Sequence, residues 1–167
     1  MNTDHIKTSI FVTLEKELEQ KGFNIHKQDR DRPWGGFFVI DEQQTENFVL
    51  HFFEGMDANE LKISEKLSPK LLVVAPQKRL SWQYHHRRAE VWKVVSGIAG
   101  IITSLTDDEG EIKVLHPGDL ITLQQGERHR LIGLDDWAVL AEIWQHTDAE
   151  NPSDEEDIIR IQDDFGR

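Results

Sequence analysis

Cysteine is absent from the 167-residue sequence. That excludes a disulfide scaffold and thiolate metal sites, and leaves His, Asp, Glu and Gln as the available ligands. Basic residues are scarce, with 19 Lys and Arg against 31 Asp and Glu and a formal net charge of −12. Nucleic acid and anionic membrane are therefore poor partners unless a local basic patch overrides the mean. Long apolar runs are missing as well: no strictly apolar stretch is longer than Leu71 to Ala75, where a membrane span needs about twenty residues. The opening MNTDHIKTSI has no basic region followed by an apolar core, so no secretory signal is read there and a soluble cytoplasmic protein is expected. What is present is enough for a sizeable core, with 38% hydrophobic residues including 5 Trp and 8 Phe. A chain of this length is expected to form a single domain.

The charge is uneven. Between Asp148 and Arg167 eight acidic residues face two arginines, so half of the net charge sits in this tail. Gln77 to Lys93 is the one strongly basic stretch, with Lys78, Arg79, Arg87, Arg88 and Lys93 against Glu90 alone, plus His85 and His86. Such a stretch suits a small anionic ligand in a cleft; its plain alternative is a solvated strand end.

Ile6, Ile10, Phe11, Leu14 and Leu18 recur at helical spacing between Thr3 and Lys21, with Gly22 as a stop, which predicts an amphipathic helix. A charged link through Arg30 to Arg32 leads to Trp34-Gly35-Gly36 and the short strand pattern Phe37 to Ile40. Phe48, Val49, Phe52 and Phe53 predict a second helix over Gln43 to Phe53. From Leu61 the period changes to two. Short runs at Leu61–Lys66, Lys70–Ala75, Leu80–His85, Val91–Ser96, Ala99–Leu105, Ile112–Leu115, Leu120–Leu123, Arg130–Leu134 and Ala138–Gln145 alternate with turn signals. That pattern predicts an antiparallel sandwich or barrel. The acidic tail retains Ile158, Ile159, Ile161 and Phe165, so it is expected to dock on the body.

Alternation along Leu80 to His85 puts Gln83 and His85 on one strand face and Trp82 and Tyr84 on the other. A turn through His86 to Ala89 brings Glu90 back on the next strand, with Trp92 on the same side. If that side is a barrel interior, an amide oxygen, an imidazole and a carboxylate converge, and a metal would need one more ligand.

These residues carry a resemblance. Gln83, His85, Glu90 and Gly97 fall in the order and spacing of the first motif of the cupin superfamily, with Gln83 where the first histidine stands. Gly118, Gly126 and His129 follow the second motif, with Gln124 in place of the usual proline and Gly133 in place of the usual asparagine. Within cupins, Arg79 to Trp92 followed by Val94-Val95-Ser96-Gly97 resembles the type II mannose-6-phosphate isomerase domain. Arg32-Pro33-Trp34-Gly35 and Glu156 to Arg167 resemble its two ends. The resemblance thus covers Arg32 to Arg167. Arg87 and Val91 replace histidines of the family, the segment from Gln43 to Glu60 is inserted, and the glycine-rich loop of the nucleotidyltransferases that carry this domain is not found, so nucleotidyl transfer is not expected of this chain.

The resemblance implies a mainly β, single-domain cupin jelly-roll β-barrel with an N-terminal helix and a short inserted helix. Residues 1–31 are expected to form the helix and link, and 32–167 the barrel with its acidic tail. It also implies one divalent metal ion on Gln83, His85, Glu90 and His129. Two imidazoles, one carboxylate and one amide oxygen suit zinc first, and also Mn, Fe, Co or Ni. The implied reaction is metal-dependent aldose–ketose isomerisation of a phosphorylated sugar, mannose 6-phosphate to fructose 6-phosphate through an enediolate, with Arg88 stabilising or shuttling charge. The alternative is a metal- and sugar-binding cupin without turnover, a sensor or accessory protein in polysaccharide precursor synthesis; a cupin oxygenase ranks third. Lys93 and Arg130 could bind phosphate, but strand parity points both outward. His5, His26, His51, His116 and His146 are read as surface residues, and the tryptophans as core or dimer contacts. A homodimer is expected, because an open sandwich has edges to protect.

Overall fold

A computed structural model describes residues 3–167. The first helix, α1 (Thr3–Gln20), buries Phe11 and Leu18 and ends at Gly22, whose φ of 86° lies in the left-handed region. Strands β1 (Ile25–Arg32), β2 (Gly35–Ile40) and β3 (Lys70–Val74) follow, with a 3-10 turn at Glu42–Gln44 and helices α2 (Thr45–Phe52) and α3 (Ala58–Leu61) between β2 and β3. The remaining strands are β4 (Trp82–Tyr84), β5 (Arg88–Ser96), β6 (Ala99–Ser104), β7 (Lys113–Leu115), β8 (Leu120–Leu123), β9 (Arg128–Gly133), β10 (Ala138–His146) and β11 (Ile159–Gln162).

Two antiparallel sheets result. One runs β1-β2-β3-β10-β5-β8 and the other β11-β4-β9-β6-β7. Between them pack Trp34, Phe37, Leu72, Trp92, Leu140 and, from the other side, Ile101 and Leu131. The outer face of the six-stranded sheet is covered by the helices: Phe11, Phe48, Val49 and Phe53 close over Leu71, Val73, Val91, Ala141 and Ile143. This sheet is therefore buried on both faces, which is why β3 and β10 read as nearly continuous apolar runs. Gly97 turns β5 into β6 with φ 75°, and a Cβ there would lie 2.3 Å from the Trp137 carbonyl oxygen. Both the conformation and the close approach exclude a side chain.

Two elements differ from the sequence reading. The charged link before Trp34 is strand β1, paired with β2 from Ile25↔Ile40 to Arg32↔Gly35. Its polar pattern reflects an edge position in which only one side is covered. The expected strand at Leu61–Lys66 is instead the end of α3 and an irregular segment. Asp57 caps that helix by accepting from the Asn59 N–H, and the backbone N–H groups of Leu67 and Ser68 donate to the Glu42 carboxylate at 3.1 and 2.9 Å. A side chain here replaces a ladder partner. The tail docks as expected, through β11 paired with β4, although Ile159 and Ile161 stay exposed. Among the described residues no helix is long and apolar enough to cross a membrane.

Candidate functional site

Three strands, β4, β5 and β9, and the residue that follows β4 bring the sequence-selected residues together between the sheets. Gln83 on β4 pairs in register with His129 on β9. Glu90 on β5 shares the inner face with Arg88 and Trp92, while Val91 packs under the helices. His85, Glu90 and His129 are each about 2% exposed, and their ligand atoms all lie within 4.8 Å of one another. His85 Nε2 is 3.3 Å from Glu90 Oε1, and His129 Nε2 is 3.5 Å from Glu90 Oε2. Ligands at about 2.1 Å from a tetrahedral ion stand about 3.4 Å apart, so these separations fit one.

The ring nitrogens are set for ligation from behind. His85 Nδ1 lies 2.7 Å from the carbonyl oxygen of Asp157, and His129 Nδ1 lies 3.1 Å from that of Glu127. Each carbonyl accepts the Nδ1 proton, which leaves Nε2 unprotonated and facing the cluster. His129 Nε2 is buried without any hydrogen-bond partner. A buried imidazole nitrogen aimed at a carboxylate and another imidazole, with nothing on it, is what a cation site requires. Burial, chiefly, lowers the His85 pKa to about 3, so its ring is neutral and able to ligate. Burial alone would raise Glu90, but the surrounding imidazoles and the Arg88 guanidinium outweigh it and hold the carboxyl below its ordinary value. The residues present therefore fit a divalent ion. Gln83 is the fourth neighbour: its Oε1 accepts from the Ser81 hydroxyl at 2.6 Å, and its Nε2 stands 3.5 Å from His85 Nε2. Amide O and N exchange by a half-turn, and the serine hydroxyl can accept as well as donate, so Gln83 can present its oxygen to the same centre.

Arg88 is buried against the cluster. Its Nε donates to Glu90 Oε1 at 3.0 Å, and one terminal nitrogen donates to Ser153 Oγ at 2.9 Å and the Asp154 carbonyl at 3.0 Å. The other stands 3.2 Å from His85 Nε2, and the guanidinium carbon lies 3.6 Å from the centre of the Trp144 ring.

A cavity of about 110 Å³ opens beside Gln83 and Glu90. Trp34, Phe37, Trp92 and Trp144 form apolar walls, so three of the tryptophans expected as core or dimer contacts line the site. Five cations (Arg32, Lys70, Arg88, Arg160, Arg167) face three acids (Glu90, Glu142, Glu155). A protein of net charge −12 thus holds a cavity of opposite sign.

Glu142 is a candidate site residue that sequence reasoning missed. It sits on the inner face of β10, accepting from the indole N–H groups of Trp92 and Trp144 at 2.9 and 2.8 Å. Burial first, then the charge of Glu90, raises its pKa to about 7. The available signal was a lone acid in the apolar run Ala138 to Trp144, at the same parity as Trp144. His146 corrects the surface reading: it is fully buried, accepting at Nδ1 from the Ser153 N–H and meeting Ser68 Oγ at Nε2, both at 2.9 Å. Arg130 does point away from the cavity, yet it is fully buried rather than exposed. Its guanidinium is engaged by the Leu80 carbonyl at 2.8 Å, by Glu109 at 3.0 Å and by Gln162. His5, His26, His51 and His116 are exposed.

Fold and site together define a cupin: a two-sheet antiparallel barrel with a His-Glu-His constellation between its sheets. Residues 51–163 match the family described as mannose-6-phosphate isomerase C-terminal, and the chain belongs to that family. It is 29% identical over 170 aligned residues to a mannose-1-phosphate guanylyltransferase of Salmonella typhimurium, covering 98% of this chain and 28% of that protein. The chain thus spans little more than a quarter of that relative. Among solved structures, the capsular polysaccharide assembling protein CapF of Staphylococcus aureus superposes over 84% of this chain and 34% of that one, with a TM-score of 0.52 at 16% identity. A Cupin 2 conserved barrel domain protein of Salinispora arenicola is 26% identical over 50% of this chain and 65% of that one, with a TM-score of 0.43.

Proposed function

We propose that this domain is a metal-dependent aldose–ketose isomerase of phosphorylated sugars, acting between mannose 6-phosphate and fructose 6-phosphate. One observation carries the reading: the buried His85–Glu90–His129 cluster opens on a net-cationic cavity that also contains a carboxyl poised near neutrality. His85, Glu90, His129 and Gln83 would hold the ion, zinc first among divalent metals. Bound there, it supplies a Lewis acid for the substrate oxygens.

The chain's own groups do the rest. A Glu142 carboxylate oxygen takes the C2 proton of the aldose; the C–H electron pair becomes the C1=C2 bond, and the carbonyl pair moves onto O1. Arg88 lends its positive charge to that oxyanion. After a proton passes from O2 to O1, Glu142 returns its own proton to C1, giving the ketose with no net gain or loss. A pKa near the working pH suits a group that must accept and then donate. The indole walls exclude water, which would otherwise compete for the proton.

A second reading, a metal- and sugar-binding module without turnover, has in its favour that this chain aligns with only 28% of a relative named for guanylyl transfer. The two separate in one experiment: elemental analysis of the purified protein, then proton NMR of mannose 6-phosphate in deuterated water for wild type and Glu90→Ala. Metal-dependent deuterium at C2 or new fructose 6-phosphate signals, lost in the variant, are expected. Stoichiometric metal without exchange would leave the binding module. We also propose that the domain pairs with a second copy; a 19.4 kDa species in sedimentation at micromolar concentration would overturn that.

A further inference from the structure

Three arginines from the two ends of the chain border the cavity: Arg32 at the end of β1, Arg160 on β11, and Arg167 beyond it. Arg160 lies directly opposite Gln83 in the β11–β4 register. Cross-strand partners project to the same face, so Arg160 shares the side of the sheet that bears the candidate ligand. Two of the three are held in place by carboxylates. Arg167 forms a two-point contact with Asp163, at 2.8 and 3.2 Å, and Arg32 Nε stands 3.1 Å from Asp29 Oδ2. Among the described residues Arg160 forms no such ion pair. The charges acting on it are Arg167 and Arg32 on one side and Asp163 and Glu155 on the other, and burial, followed by the like charge of Arg167, lowers its pKa. Cations gathered at a cavity in an acidic protein, one of them unpaired, match a dianion that accepts several N–H bonds at once.

We propose that Arg32, Arg160 and Arg167 form the subsite for the substrate's phosphate, with Arg160 making the principal contact. This rests on the sugar-phosphate reading of the cavity. The reacting carbons belong beside Glu90 and Glu142, so the phosphate sits on a carbon remote from them, and a sugar phosphorylated at its terminal carbon is selected over the free sugar. Lys93 and Arg130, the candidates from sequence, take no part, because neither borders the cavity.

The test is calorimetric titration of metal-loaded wild type, Arg160→Ala, Arg160→Lys and Arg32→Ala with mannose 6-phosphate, mannose and inorganic phosphate at fixed ionic strength. Wild type is expected to bind mannose 6-phosphate about tenfold or more tightly than mannose, the effect of a charge-assisted contact. Arg160→Ala should lose most of that preference while its affinity for mannose and its metal content stay unchanged. Arg160→Lys should recover part of it. Equal affinity of wild type for the two sugars, or an undiminished preference in both alanine variants, overturns the subsite. Binding needs no turnover, so the two readings fail separately. Phosphate preference lost in Arg160→Ala without any proton exchange would leave the subsite standing and remove the isomerase. Exchange with an unchanged KM in the arginine variants would do the reverse.

Discussion

His85 Nδ1 lies 2.7 Å from the carbonyl oxygen of Asp157, so a residue of the acidic tail decides which nitrogen of a candidate metal ligand carries the proton. The Asp157 side chain closes the same turn: it accepts from the backbone N–H groups of His86 and Arg87 at 2.9 and 3.0 Å and from the Ser153 hydroxyl at 2.6 Å. Replacing it with alanine leaves one buried and two part-buried donors without their acceptor. Asp157→Ala should therefore destabilise the fold by about 2–4 kcal/mol in urea titration, and weaken metal binding by about 10–100-fold in competition with a chelator. Unchanged metal affinity would show that the tail only covers the site.

The four proposed ligands are not expected to be equal. His85→Ala, Glu90→Ala and His129→Ala each remove a group from the tight cluster and should reduce bound metal from one equivalent to nearly none by elemental analysis. Gln83 contributes a neutral amide that also bonds Ser81. Gln83→Ala should retain metal with roughly tenfold lower affinity, since an uncharged oxygen is the weakest of the four donors.

Arg88 and Glu142 are proposed for charge and proton transfer rather than for holding the metal. Arg88→Lys should not restore function: a single ammonium cannot reach Glu90, Ser153 and the Asp154 carbonyl together while lying on Trp144. Arg88→Lys and Glu142→Gln are both expected to keep one equivalent of metal and to slow deuterium exchange at C2 by about 100-fold or more, within the range of general acid–base effects. Loss of metal in either variant would move that residue into the ligand-holding framework.

The acid dependence of stability has opposing contributions in the metal-free protein. Burial lowers His85 to about 3 and His146 to about 4, so each binds a proton on unfolding below pH 6.5, and stability falls as pH drops from 6.5 towards those values. Glu142, raised to about 7, keeps a proton that the unfolded chain releases above 4.5, so its contribution is lost as pH rises from 4.5 to 7. At pH 5.5 the two histidines and the glutamate should leave a net slope of about one proton, or about 1.4 kcal/mol per pH unit. His146→Asn should flatten that slope to about zero, and Glu142→Gln should raise it to about two protons. Denaturant titrations of the chelator-treated proteins at several pH values read these slopes directly.

The site was more legible in the sequence than the edges of the fold. Gln83, His85 and Glu90 could be placed on one face because strand alternation is a local property, whereas His129 joined them only through the resemblance to the second cupin motif. Glu142 escaped notice because an acid inside an apolar run has no local signature of its role; its pKa is raised by burial first and then by the charge of Glu90 on another strand, against the opposing pull of the Trp144 indole N–H. His146 reads as a surface residue in the sequence and is buried by the loop carrying Ser68 and by the tail carrying Ser153.

By itself the sequence determined what periodicity and residue type can carry: the amphipathic α1, the succession of short strands from Lys70 to Gln145, the exclusion of thiolate chemistry and the shared face of Gln83 and His85. Only the tertiary structure decided that the charged segment before Trp34 is a strand, because its ladder partner β2 supplies what its own composition does not. It also decided that arginines from β1 and from the tail border one cavity. Burial and the meeting of residues far apart in the chain set pairing partners, local dielectric and the sign of a pocket, and none of these is a property of a short stretch of sequence.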